Sequence, residues 1–295
     1  MKIRGVKMLG YNKLLMSCII LFLFVGIANA VFVDKVVYYD ENYKAVYILN
    51  CEDTVDFLKS KEFVVKNAVE LKEWMKSKIE KGAYQSVCVM AMGVAPDTVY
   101  ETVDRECTIF KYLKAGGRIV WIGGSYPLWR LGTADNDIKV IGSQGPTMVL
   151  GVRADTTDYE ALNIIVDLNP VARNLGMKVL DRGKFVVYRS DVTLVLSSLN
   201  EASLSSLDKT AISVASTEDS GASEIQAQAT ELTTESGKAS GYACSWFKNY
   251  NKDYFNSGFI RYRATWYNGS DKEQNEDMLR LALVEAKKTE ELQEK

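Results

Sequence analysis

The sequence predicts an α/β protein: a mostly parallel sheet with helices on both faces, plus a C-terminal β-hairpin and helix. Two observations carry that expectation. Short unbroken apolar runs at residues 86–92 and 118–122 read as strands buried on both faces. Segments with helical spacing, bounded by caps and glycines, lie between and around them, so strands and helices alternate.

In chain order, residues 31–40 (VFVDKVVYYD) and 44–50 (KAVYILN) are rich in Val, Ile and Tyr and read as extended. A short helix is expected over residues 54–63. Asn67 with Glu70 three residues later is a capping box with Asn in the usual Ser/Thr place. Ala68, Leu71, Trp74, Met75 and Ile79 then recur at helical spacing until Gly82. A second helix over residues 107–115 ends at Gly116-Gly117, directly before the strand RIVWI. Asn169-Pro170 opens a short helix that stops at Gly176. A hairpin is expected to join residues 177–180 to 184–189 through Asp181-Arg182-Gly183, and an extended run follows over 192–199. Residues 200–240 turn to Ser, Thr, Ala, Glu and Gln and have little to bury, as in a flexible insertion. Two aromatic β-type segments, YACSWFKNY and SGFIRYRATWY, lead to a helix over 271–292. Met278, Leu279, Ala282, Leu283 and Ala286 form its apolar stripe. The expected organisation is a leader at 1–30, an α/β core at 31–199, the insertion at 200–240, and residues 241–295 completing the same domain.

The leader reads as an export signal: Lys2, Arg4, Lys7 and Lys13 precede an apolar run at 14–27, and Ala28-Asn29-Ala30 is an A-x-A cleavage site. Cleavage there predicts a secreted or extracytoplasmic protein. An uncleaved segment would act as a signal anchor, the only route to a membrane that this reading offers. Export places Cys51, Cys88, Cys107 and Cys244 in a potentially oxidising compartment, with their pairing open. Cys88, inside SVCVMAM, reads as a small buried hydrophobe, and a Cys51–Cys107 bridge has no spacing rule behind it. The 295 residues include no histidine. That excludes Ser-His-Asp and Cys-His catalysis in their usual form and imidazole-based zinc sites. With no CxxC pair, thioredoxin-like chemistry lacks its spacing too. Net charge is −2 with no basic block beyond the leader, so no nucleic-acid partner is expected. No cofactor or metal is expected either.

The segment from Tyr84 to Pro127 places a buried strand, a Pro-Asp loop, an amphipathic helix, Gly-Gly and a second buried strand in series. It resembles the class I glutamine amidotransferase-like superfamily, in particular its trehalose-utilisation (ThuA-like) branch, and SWFKNYNKDYFNSGFIRY resembles the end of such domains. The resemblance implies a flavodoxin-like fold. Catalytic members carry a cysteine on the turn after the strand, where this chain has Gly123-Gly124-Ser125-Tyr126. It therefore implies a scaffold without the family's chemistry.

Candidate sites gather at the expected carboxyl ends of the strands, where open α/β sheets bind ligands. Ser125 is a nucleophile or ligand hydroxyl, or part of a tight loop leaving the sheet. Gly123, Gly124, Tyr126 and Trp129 would line a small-molecule or glycan site, or meet an extracellular protein. Asp97, Glu101 and Asp104 would serve as acid–base carboxylates in a carbohydrate-active hydrolase, which needs two, or Asp97 would start a helix. Asp135-Asn136-Asp137 has calcium-type ligands but lacks the EF-hand glycine and glutamate, so a solvated turn is expected. Trp121 reads as core, whereas Trp246 flanks a turn and stays open. Asn268-Gly269-Ser270 is a glycosylation sequon.

Overall fold

The computed structural model describes residues 34–46, 51–123, 126–155, 166–178, 186–199, 242–255, 257–262, 271–284 and 287–288. The leader, Gly124, Ser125, the 181–183 turn, the 200–240 segment and the sequon lie outside the described residues.

In chain order the elements are β1 (Asp34–Tyr38), α1 (Cys51–Ser60), β2 (Val64–Lys66), α2 (Ala68–Lys81), β3 (Ser86–Met90), β4 (Ala95–Pro96), α3 (Thr108–Lys114), β5 (Arg118–Ile122), β6 (Arg130–Thr133) and β7 (Asp137–Val140). After a π-helical turn at Gly145–Leu150 come β8 (Val166–Leu168), α4 (Pro170–Asn174), β9 (Val187–Tyr188) and β10 (Leu194–Leu199). Then follow β11 (Tyr242–Asn249), β12 (Tyr254–Phe255), β13 (Gly258–Tyr262), α5 (Asp271–Leu283) and β14 (Lys287–Lys288).

The central sheet runs β2-β1-β3-β5-β13-β11-β10-β8, with β9 also paired to β11. Its first five strands are parallel neighbours and the rest pair antiparallel. The protein is thus α/β with a mostly parallel central sheet. Alternation along the strands sends Val36, Tyr38, Cys88, Met90, Ile119 and Trp121 into one core under α2 and α3. Val37, Val87, Val89 and Val120 go into a second core under α1 and α5. Continuous apolar strands are what a sheet covered on both sides requires.

Local chemistry explains the boundaries. The Asn67 side chain accepts from the Glu70 N–H at 2.9 Å and the Glu70 carboxylate accepts from the Asn67 N–H at 3.2 Å, so the expected capping box forms. Gly82 leaves α2 with φ 87°. Gly117 is required for space: a Cβ there would lie 2.3 Å from the Tyr112 ring, which closes over the turn from α3 into β5.

Three expectations are corrected. Residues 97–107 hold no helix; they form irregular turns before α3. Residues 177–178 are not a strand, and β9 pairs instead with β11. Helix α5 stops at Leu283 rather than 292, and Lys287–Lys288 pair with β12. The C-terminal aromatic strands β11 and β13 pair antiparallel, and β13 lies parallel to β5, Arg261 opposite Trp121. The Asp135-Asn136-Asp137 run is a hairpin turn. Asn136 sits at φ 57° and donates its N–H to the Thr133 carbonyl, between β6 and β7.

Candidate functional site

The carboxyl ends of β1 and β3 are neighbours in the sheet, yet their chains lead to opposite faces, from β1 to α1 over the second core and from β3 to α3 over the first. A cleft of about 520 Å³ opens at the end of β1. Tyr39, Asp40, Glu41, Tyr43 and Ala45 come from the loop after β1, Met92 from the loop after β3, and Cys51, Glu52 and Asp53 from the first turn of α1.

The β1 loop is held rigidly. Asp40 Oδ1 accepts from the N–H and side-chain amide of Asn42 at 3.0 and 3.1 Å, while Oδ2 accepts from the Ala68 N–H at 2.9 Å, at the start of α2. The Asp40 N–H donates to Met92 Sδ, and the Val46 N–H to the Met92 carbonyl at 2.9 Å. Tyr43 donates its hydroxyl to Asp97 Oδ1 at 2.7 Å, tying the β1 loop to the β3 loop. Burial first and then the Asp97 bond push the Tyr43 phenol up. Tyr39 donates to Glu52 Oε1 at 3.2 Å, and desolvation followed by the Glu52 charge raises it to about 12.

Cys51 opens α1, a position that ordinarily favours a thiolate. Here desolvation, reinforced by Glu52, pushes the thiol up to about 12, and its S–H donates to the Ala91 carbonyl at 3.2 Å. Burial and the bond to Ala91 thus favour the thiol over the thiolate at this helix start. Cys51, Cys88, Cys107 and Cys244 are all unbridged, so the Cys51–Cys107 pair does not form, and Cys88 is buried in the core as expected.

Most residues singled out from sequence occupy other places. Gly123 is buried with φ 127° at the end of β5. Tyr126 is buried, donates its hydroxyl to the Asp155 carbonyl, and packs on half-buried Trp129 at 4.9 Å between ring centroids. Neither ring makes an open platform: both pack into the first core with Leu131, Val149, Leu150 and Val152, and the Tyr126 hydroxyl is taken up by Asp155. Trp121 and Trp246 are both core. Asp97 starts no helix; it anchors Tyr43. Asp104 is exposed and accepts from Thr102 and from the Glu106 N–H, closing a turn.

Glu101 caps a helix from a distance. Its carboxylate accepts from the Thr108 N–H at 3.0 Å and the Thr108 hydroxyl at 2.7 Å, at the start of α3, with Lys72 at 3.3 Å. Burial raises the carboxyl, but the Thr108 bonds outweigh it and hold the group below its ordinary value. The folded value is depressed, so this stabilisation is complete above the unfolded pKa, roughly 4.3, and is lost as pH falls through the folded value. Glu101→Gln should therefore cost about 1 kcal/mol at pH 7, and the gap should close in strong acid. Urea midpoints at both pH values check this; equal midpoints at pH 7 would refute the capping role.

Sequence reasoning missed Tyr39, Asp40, Glu41 and Glu52. The available signal was acids and phenols directly after the first strand, but strand order was needed to make it meaningful. Among the described residues no helix is long and apolar enough to cross a membrane, and no group of three or more acidic or cysteine side chains is placed to hold a metal ion.

By fold and cleft, this is an α/β protein with a ligand-sized opening at the carboxyl edge of its parallel strands. Residues 33–158, fewer than half of the chain, match the model of the MJECL34 family, so β1 through the π-helical turn is similar to that family. Comparison with curated proteins and with solved structures gives no match.

Proposed function

We propose that this chain is a secreted, non-catalytic binding domain on a flavodoxin-like, glutamine amidotransferase-like scaffold, whose small-molecule or glycan ligand occupies the cleft at the end of β1. The observation that carries the reading is the position of the cleft. Numbered in chain order, the parallel strands β2-β1-β3-β5-β13 have the order 2-1-3-4-5, and sheets of that order bind ligands where β1 and β3 diverge. The chemistry supports binding over catalysis: burial favours the Cys51 thiol over the thiolate, and the Tyr39 and Tyr43 phenols are engaged with carboxylates. The alternative, a carbohydrate-active hydrolase using Asp97, Glu101 or Asp104, loses support because Glu101 caps α3 and Asp104 closes a turn. The apolar leader supports export.

A thermal-shift screen of the mature protein against glycans and metabolites tests the reading, since a native-state ligand raises Tm. Ala45→Trp, an exposed position on the cleft wall, should abolish the shifts produced by true ligands. Ligands that stabilise both proteins equally would place binding elsewhere and refute the assignment of the cleft.

A further inference from the structure

Two cations from distant parts of the chain converge on the end of the π-helical turn. That turn stops at Gly151, which takes the left-handed conformation with φ 63°. Its last carbonyls are answered from β11 and the residue beyond it. Lys248 Nζ donates to the Gly151 carbonyl and the Tyr250 hydroxyl to that of Leu150, both at 2.7 Å. One cation at a helix end is ordinary capping. Here a second stands against it. Arg105, from the irregular turns before α3, brings Nη2 to 3.0 Å from the point a Cβ on Gly151 would occupy, and Lys248 Nζ lies 3.4 Å from that same point. Any side chain at residue 151 would meet both, so glycine leaves them room to approach.

The approach is costly and nothing in the chain offsets it. Burial lowers the half-buried Lys248 ammonium from its ordinary value, and the Arg105 charge adds to this while Asp191 opposes it. Asp191 has little left to give. It accepts from the Arg153 N–H, Nε and Nη2 and from the Ser190 hydroxyl. Glu106, beside Arg105 in sequence, pairs with Lys111 at 3.1 Å, and Asp104 closes its own turn. Arg105 is exposed and makes no ion pair or hydrogen bond among the described residues. Its guanidinium lies over the Phe110 ring at 5.3 Å, and Phe110 meets Tyr250 edge-on at 5.6 Å. Lys248 lies over Tyr250 at 6.0 Å, so one aromatic wall carries both cations. Arg105, Lys248 and Arg153 against Asp191 leave a local excess of two positive charges, on a chain whose net charge is −2.

We propose that Arg105 and Lys248 form a binding site for a dianionic oxyanion of the phosphate type, free or carried as a phosphomonoester, on the solvent side of Gly151. The planar guanidinium fork matches two oxygens of such a group. The ammonium has one donor engaged by Gly151 and others left for a further oxygen. A dianion balances the excess charge, whereas a carboxylate balances half of it. Neither residue lines the cleft at the end of β1, so the proposal stands apart from the reading of that cleft.

Amide chemical-shift titration of the purified protein with sodium phosphate, glucose 6-phosphate and sodium acetate, at matched ionic strength, tests it. Phosphate and the ester should perturb Arg105, Gly151 and Lys248, bind at least about tenfold more tightly than acetate, and weaken as sodium chloride is added. A tighter ester assigns the site to a phosphorylated ligand and equal affinities assign it to the free ion; both sustain the proposal. Arg105→Gln should weaken phosphate about tenfold without lowering Tm. Arg105→Glu should abolish phosphate binding and raise Tm in its absence, by pairing with Lys248. Acetate binding as tightly as phosphate would overturn the dianion assignment. Phosphate affinity indifferent to Arg105→Gln, silence of the three amides, or a lower Tm for Arg105→Glu would overturn the site.

Discussion

Replacing Arg118 with methionine should destabilise the protein by about 3 kcal/mol, although Arg118 lies at the amino end of β5, away from the cleft. Its side chain is fully buried, on the face of the sheet that carries α5. Nη1 donates to the carbonyl of Ala282 at 2.9 Å, to that of Leu281 at 3.4 Å, and to that of Val284. These are the carbonyls that the end of a helix leaves without intrahelical partners, and a cation there also meets the negative end of the helix dipole. Desolvation draws the guanidinium down to about 9, so it remains charged at neutral pH. Methionine would fill similar volume and remove the cost of burying the charge. It would also strand the carbonyls in a site closed to water, at about 1–3 kcal/mol for each buried group left unpaired. The stranded groups outweigh the relieved charge because Met278, Leu281 and Ala282 fix α5 in the second core, and the helix end cannot turn out to solvent without uncovering them. Urea unfolding of the variant checks this; a loss below about 1 kcal/mol would show that the cap is dispensable.

Arg118 also shows where sequence reading stops. The strand RIVWI is legible because five consecutive buried residues make a local pattern, and its first residue reads as a polar boundary. That this arginine is a buried cap for a helix 163 residues further on is a tertiary fact with no local trace. The same division runs through the fold. The Asn67–Glu70 box, the Gly82 stop, the two buried strands and the alternation of elements were readable, since each depends on neighbours within four residues. Strand order was not, because β13 pairs with β5 across more than a hundred intervening residues. The overshoot of α5 has a local cause: the residues after Leu283 are good helix formers and carry no stop signal, and the cap that ends the helix comes from Arg118. The small sheet of β4, β6 and β7 was invisible because its strands are two to four residues long. The candidate site was misplaced for the same reason as the strand order. Gly-Gly-Ser-Tyr advertised a turn at the end of β5, whereas the opening depends on β1 lying between β2 and β3.

Tyr38→Phe should have the opposite sign to the arginine change: it should raise stability by about 1–2 kcal/mol in the absence of ligand. The β1 sequence VVYY turns Tyr38 inward and Tyr39 toward Glu52, so two adjacent phenols meet different fates. The Tyr39 hydroxyl has a carboxylate; the Tyr38 hydroxyl has been taken out of water without a partner. Burying such a group costs about 1–3 kcal/mol, and phenylalanine keeps the ring packing against Tyr43 while deleting only the oxygen. The indole N–H groups of Trp121 and Trp246 are also unpaired, but no substitution removes either without deleting part of a core ring, so tyrosine gives the cleaner test. Urea midpoints of wild type and Tyr38→Phe, with unchanged m values, measure the effect directly. A midpoint that falls would mean that the hydroxyl is satisfied in solution.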